Sequence, residues 1–280
     1  MTEAKERRSP VDRTSRVTCT IDDNYIATVC LNRADKLNAI DMAMFIEVGK
    51  ITKMLRCNQM VRAVIVKGNG SDFCSGLDVK SLLTNRSDAL KLLFKWWPTL
   101  PNAAQRFSLA WRDIPCPVIF AIHGRCWGGG LQLASGGDFR IASPDANFAI
   151  MEAKWGVIPD MGGALAFREL MRQDHTMEMA MTAKVIDCAT AKDYGLVTTI
   201  AENPLEQAYE LALECINRSP DVLAANKKLY HKTWWSSPGK ALFLETWYQV
   251  KVAIGKNRAI ATRRERKPDD KPNYVVRQFK

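Results

Sequence analysis

No apolar run in the sequence approaches the roughly 18 residues that a membrane-spanning helix needs. The longest, Val118–Ile122 and the stretch from Ala146 to Met151, are short, and Asn147 breaks the second. A transmembrane role is therefore excluded. The eight cysteines, at positions 19, 30, 57, 74, 116, 126, 188 and 215, include no C-x-x-C pair and fall mostly inside apolar segments. That pattern suits buried reduced thiols rather than a disulfide framework or a zinc site. With three histidines in the chain and no His/Cys/carboxylate cluster at ligand spacing, no metal is expected. No repeat of solenoid period is visible, and the glycine-rich turns carry neither G-x-G-x-x-G nor G-x-x-x-x-G-K-[ST], which argues against a dinucleotide or P-loop site.

What is present is the make-up of a globular protein: 280 residues, 47% hydrophobic and 25% charged. The net charge of +10 is concentrated at the ends, with five basic against three acidic residues in 1–16 and nine against three in 256–280. Such tails read as solvated arms or subunit contacts. No aromatic residue is interleaved with Arg263, Arg264, Arg266 and Lys267 to stack bases, so no nucleic-acid partner is expected; small phosphorylated molecules remain open. The N-terminal MTEAKERRSP mixes acidic with basic residues and leads into no apolar stretch, so it is neither a secretory signal nor a good transit peptide, and a cytoplasmic location is expected.

Val17–Ile21 and Tyr25–Leu31 read as two strands about an Asp22-Asp23-Asn24 turn. Asp41 reads as the N-cap of a helix whose apolar positions Met44, Val48, Ile51 and Leu55 keep helical spacing. Val61–Val66 and Pro117–His123 are buried strands by their β-branched content, and Phe139–Ala142 and Phe148–Met151 are shorter ones. Pro98 and Pro101 split the Ser87–Trp111 stretch into two helices with a mobile link. Helical periodicity runs over 163–184, 203–217 and 220–232, with caps expected at Asn203 and Ser219. The layout is an α/β core followed by a helical third. The boundaries expected are a basic arm over 1–15, a core over 16–202, helices over 203–265 and a basic tail over 266–280.

Three glycine-rich places follow strands: Gly68-Asn69-Gly70, Cys74-Ser75-Gly76-Leu77-Asp78, and Gly128-Gly129-Gly130 at a helix start. Glycine lets backbone approach a ligand, and amides at a helix start carry partial positive charge. Alone, each is weak evidence. Together, LNRADKLNAI (31–40), VKGNGSDFCSGLDVKSL (66–82), PVIFAIHGRCWGGGLQLASGGDFRIA (117–142) and MEAKWGVIPDMGG (151–163), continued by AKDYGLV (191–197) and SPDVLAANKKL (219–229), resemble the crotonase (enoyl-CoA hydratase/isomerase) superfamily over roughly residues 16–265.

The resemblance implies a crotonase-type spiral of ββα units with a helical C-terminal oligomerisation region. It also implies an acyl-CoA substrate, no cofactor beyond the coenzyme A of that thioester, and a homotrimer or dimer of trimers. The amides of Leu77 and Gly129 would form an oxyanion hole for the thioester enolate. Arg33, Lys36, Asn38, Ala39 and Lys80 occupy the positions of the phosphate and adenine contacts. Of the two glutamates that hydratases of the family carry, only Glu152 is kept. The other position is Gln132, which can orient a water or a carbonyl but cannot exchange a proton near neutral pH.

Glu152 with Asp160 resembles the pattern of the dienoyl-CoA isomerases and the 3-hydroxyisobutyryl-CoA hydrolases, and simple enoyl-CoA isomerases manage with the one glutamate. Double-bond isomerisation with Glu152 as proton shuttle is therefore the first expectation, hydration of a trans-2-enoyl-CoA the second. Thioester hydrolysis and a non-catalytic acyl-CoA-binding role follow behind. Haloaryl-CoA dehalogenases place a tryptophan where Glu152 stands, which argues against that reaction. The bland alternative for Asp160 is a cap for a helix starting near Met161. His123 reads as a packed core histidine. The aromatics of Phe94-Lys95-Trp96-Trp97 and Trp111 fall where the family builds its acyl-pocket wall, although aromatics at helical spacing are more often core. Bulk there would favour a short, flat or aromatic acyl group. Trp234, Trp235 and Trp247 lie in the region that packs on a neighbouring subunit in relatives.

Overall fold

The β-branched runs of the sequence pair into one sheet. A computed structural model describes residues 15–79, 86–267, 269 and 271–279. In it, strands β1 (Val17–Ile21) and β2 (Ile26–Leu31) form a hairpin, followed by helix α1 (Met42–Cys57), β3 (Ala63–Gly68), α2 (Arg86–Leu93) and α3 (Ala103–Leu109). Next come β4 (Val118–Ile122), β5 (Arg125–Trp127), α4 (Gly129–Ala134), β6 (Phe139–Ala142) and β7 (Asn147–Ala149). The chain continues through α5 (Gly163–Leu170), α6 (Gln173–Thr182), β8 (Ile186–Asp187), α7 (Cys188–Asp193) and β9 (Thr199–Ile200). It ends in α8 (Pro204–Ile216), α9 (Pro220–Thr233), α10 (Pro238–Ala253) and α11 (Lys256–Arg266).

The main sheet runs β1-β2-β3-β4-β6-β9, antiparallel only between β1 and β2, and a small sheet β5-β7-β8 stands beside it. Both faces of the main sheet are covered, which is why β4 is apolar and buried at every position and β3 is buried everywhere but Lys67, rather than alternating. Val64, Val66, Val118, Phe120 and Ile122 point into the principal core. Ile65, Ile119, Ala121 and Ile141 point the other way, onto Ala208 and Ala212 of α8, whose spacing of four sets two small residues on one helix face.

Several elements depart from the sequence expectation. The strand expected over Phe148–Met151 is Asn147–Ala149, and the helical stretch 163–184 is broken between Leu170 and Gln173. Asp41 caps α1 by accepting from the Met44 amide, and Asn203 caps α8 through the Glu206 amide. Ser219 makes no side-chain cap at α9. Asp160 is not a cap either, since α5 begins at Gly163 behind Gly162.

Trp111 is fully buried against Phe120, whereas Phe94, Trp96 and Trp97 are exposed, and none of the four lines the cavity described below. His123 is half-buried just beyond β4, with Nε2 3.0 Å from the Gly70 carbonyl. The C-terminal stretch departs from the solvated arm. Phe279 is buried on the Tyr248 ring, and the Asp221 carboxylate accepts from the amides of Gln278 (2.6 Å) and Phe279 (2.8 Å). The arm expected over 1–15 lies outside the described residues apart from Ser15.

Candidate active site

The site forms where the Cys74–Asp78 loop meets the start of α4. The loop is held on both sides by backbone: the Ile40 amide donates to the Gly76 carbonyl (2.8 Å), the Asp78 amide to the Ile40 carbonyl (2.9 Å), and the Trp127 amide to the Cys74 carbonyl (3.0 Å). Gly76 sits at φ +97°, and a Cβ there would stand 3.0 Å from the Trp127 carbonyl and 3.5 Å from the Gly129 nitrogen. Only glycine combines that conformation with that approach. The next amide, Leu77, is thereby brought alongside Gly129, the first residue of α4, whose N–H has no intrahelical acceptor by position. Among the described residues neither amide has a hydrogen-bond acceptor within the chain. Both residues line a cavity of about 360 Å³, together with Glu152 and Asp160.

Glu152 begins a short 3-10 turn (Glu152–Trp155) after β7 and is only 6% exposed. Its Oε1 accepts a 2.6 Å hydrogen bond from Gln132 Nε2, while its Oε2 is buried without a partner among the described residues. Desolvation pushes the carboxyl above the ordinary glutamate range, and the negative charge of Asp160 adds to the rise. Desolvation likewise raises Asp160. A buried carboxyl on a cavity wall, with one oxygen clamped, the other without a partner and its pKa raised, is suited to pick up and return a proton.

Four of the five candidate catalytic residues, Leu77, Gly129, Glu152 and Asp160, therefore share one cavity. Gln132 does not line the cavity and has most of its polar capacity engaged within the protein. Its nitrogen is given to Glu152, and its oxygen accepts from the amides of Met161 (2.9 Å) and Gly163 (3.1 Å). It is a positioning residue that binds Glu152 to the segment carrying Asp160.

The candidate cofactor contacts are divided. Arg33, Lys36, Asn38 and Ala39 lie on one loop that reaches the site through Ile40, but none lines the cavity. The Arg33 guanidinium is mostly buried and engaged by Asp78 (2.9 Å), Asp41 (3.5 Å) and the Ala39 carbonyl (2.9 Å). The Asn38 side chain is fully buried, donating to the carbonyls of Asn69 and Asp72 and accepting from the Arg33 amide. Both hold the loop rather than offer side chains to a ligand. Lys36 is exposed, the Ala39 amide donates to the Lys36 carbonyl, and Lys80 lies outside the described residues. The cavity wall that sequence reasoning missed is apolar: Phe45, Leu92, Leu93, Ala104, Trp155 and Met161 among others. Trp155 stood inside a quoted motif, but nothing in its pattern told wall from core. No group of metal-ligating side chains is found among the described residues, and no helix described is long and apolar enough to cross a membrane.

Paired backbone amides facing a buried carboxyl, on a parallel-rich spiral of this topology, define a class of enzymes that stabilise an oxyanion while a proton moves. Comparison with known proteins gives the family. Residues 22–252 match the family model described as enoyl-CoA hydratase/isomerase. The chain is similar to the carnitinyl-CoA dehydratase of Citrobacter koseri, 31% identical over 211 residues that cover 74% of this chain and 77% of that one. It is also similar to the peroxisomal Delta(3,5)-Delta(2,4)-dienoyl-CoA isomerase of Arabidopsis thaliana, 30% identical over 241 residues covering 80% and 84%. In fold it matches the crystal structure of an enoyl-CoA hydratase from Bacillus anthracis with a TM-score of 0.83 at 24% identity, covering 92% of this chain and 98% of that one. The chain belongs to the enoyl-CoA hydratase/isomerase family, with the crotonase fold.

Proposed function

We propose that the protein moves the double bond of an enoyl- or dienoyl-CoA, with Glu152 as the proton shuttle and the Leu77 and Gly129 amides as the oxyanion hole. The observation that carries this reading is the unpaired Oε2 of Glu152, buried in the same cavity as the two free amides. Glu152 takes a proton from C2 of the acyl group. The electron pair moves through the thioester carbonyl, and the two amides receive the negative charge on oxygen. The same proton, now on Glu152, or one from Asp160, returns at C4 of an enoyl chain or C6 of a dienoyl chain. The double bond shifts, no water is consumed, and no cofactor beyond the substrate's own coenzyme A is required. Losing one such oxyanion donor typically costs about 3–4 kcal/mol of barrier. Lys36, exposed on the loop before Ile40, would meet a phosphate of coenzyme A, with Ala39 on the same loop contributing and Lys80 taking a similar part. The exposed apolar side chains of α10 support a homotrimer or dimer of trimers.

A second reading, hydration or its reversal, is favoured by the likeness to a carnitinyl-CoA dehydratase. It would have Asp160 take the place of the missing glutamate in holding the water, because the Gln132 oxygen already accepts two amides and one of its N–H groups is given to Glu152. Incubation with crotonyl-CoA, a 3-enoyl-CoA and a 3,5-dienoyl-CoA in deuterated water, read by mass spectrometry, separates the two. Bond migration with deuterium uptake and no gain of water is the expected result. Water gained on crotonyl-CoA would replace isomerisation by hydration, and release of free coenzyme A would identify a hydrolase. Glu152→Gln should abolish bond migration while acyl-CoA binding persists.

A further inference from the structure

We propose that the acyl group handled by this site is long and wholly apolar, and that it runs from the buried part of the cavity onto its exposed rim, formed by Leu93, Trp155 and Val157. The inference rests on the acyl-CoA reading above and names its substrate class. Among the described residues, the charged side chains in the cavity wall are the two carboxyls already described, Glu152 and Asp160; the rest of that wall is backbone, Ser75 and apolar side chains, with no Lys, Arg or His to meet an acyl chain ending in a carboxylate. Its buried part is closed by Phe45, Ala104, Leu92 and Met161.

At about 360 Å³ the cavity is at the small end of ligand pockets, which run from about 300 to 1,000 Å³. Yet the apolar wall does not stop at the mouth. Leu93 at the end of α2 is 53% exposed, and Trp155 and Val157, on the turn after Glu152, are 65% and 57% exposed. All three line the cavity. Large apolar side chains left in water on two separate segments of one pocket mark a surface that a ligand covers. The ligand whose position is already fixed there is the acyl chain itself. The aromatic cluster expected to narrow the pocket does not, since Phe94, Trp96 and Trp97 lie outside its wall. The short or flat acyl group expected on that ground loses its support.

The test measures binding of saturated acyl-CoAs, which carry no double bond and so report affinity whether or not the proposed reaction is the right one. Each methylene moved from water onto an apolar wall tightens binding up to about fourfold. Competition titrations with butanoyl-, octanoyl- and dodecanoyl-CoA, below micellar concentrations, should show affinity rising at each step, by at least about tenfold from butanoyl to dodecanoyl. Trp155→Ala should flatten that slope by removing part of the rim. Trp96→Ala, 88% exposed and outside the wall, should keep it. Equal or tighter binding of butanoyl-CoA would overturn the inference, as would a Trp155→Ala slope equal to wild type. A steep slope from a protein that moves no double bond would uphold the substrate class and refute the reaction.

Discussion

Burying Glu152 with one oxygen unpaired has a cost that depends on pH. In the folded protein its pKa lies above the ordinary glutamate value of about 4.3, so between those two values the native state holds more protons than the unfolded state. Stability therefore falls as pH rises through that window, and the loss is complete above the raised value. Glu152→Gln removes the charge but keeps an oxygen for Gln132 Nε2 to donate to. The variant should be more stable than wild type at pH 7–8, with a higher Tm. The gap should close as pH falls toward 4. Thermal unfolding of both proteins across pH 4–8 checks this, and a gap independent of pH would show that Glu152 is ionised at no cost. The same raised pKa governs catalysis with the opposite sign. A carboxyl that must first accept a proton gives activity that rises as pH climbs through its raised pKa, later than for an exposed glutamate.

At the scale of elements, the distance between the two oxyanion amides is set by how α4 sits on the Cys74 loop. Gly130 makes that contact possible, because a Cβ there would lie 2.7 Å from both Cβ and the carbonyl oxygen of Cys74. Backbone cannot yield cheaply at that distance, so Gly130→Ala must push the start of α4 away from Leu77. We expect a stability loss of about 1–3 kcal/mol and a fall in kcat of about 100-fold, comparable to loss of one oxyanion donor. Gly239→Ala, where a Cβ meets nothing within 4 Å, should change neither. Steady-state kinetics beside thermal unfolding of the two variants decides it.

This contact also marks how far the sequence could be read. β3 and β4 were legible as unbroken β-branched runs, α1 from its Asp41 cap, and the two glycine loops from their motifs. The small sheet was legible only at β7, which the stretch Phe148–Met151 overlaps; β5 and β8, three and two residues long, are too short for any period to register. The motif named Gln132, but its part in the site was hidden, since its oxygen is claimed by amides 29 and 31 residues further along the chain. Arg33 and Asn38 misled for a related reason: a basic or amide side chain in a ligand loop reads the same whether it faces the ligand or ties the loop down.

For the whole molecule, the helical C-terminal third is anchored to the core from within. The Lys227 ammonium of α9 is buried and donates to Asp138 (2.7 Å) and to the carbonyls of Trp111 (3.0 Å) and Cys116 (3.1 Å), so its charge is paired and all three of its protons are used. The chain end is folded back onto Asp221 and Tyr248. Trp234 and Trp235 stay exposed, as does one side of α10 with its end, where Phe243, Trp247, Val250 and Ile254 are uncovered. Their spacings of four, three and four align them along a single helix face. A stripe of that kind is stable in water only at a cost, and burial against further copies of the chain removes the cost. Light scattering on the purified protein should therefore give the mass of three or six chains. Phe243→Glu, which puts a charge in the middle of the stripe without touching the cavity, should shift the mass toward that of one chain. A wild-type protein of 31.5 kDa in solution would mean that the stripe serves another contact.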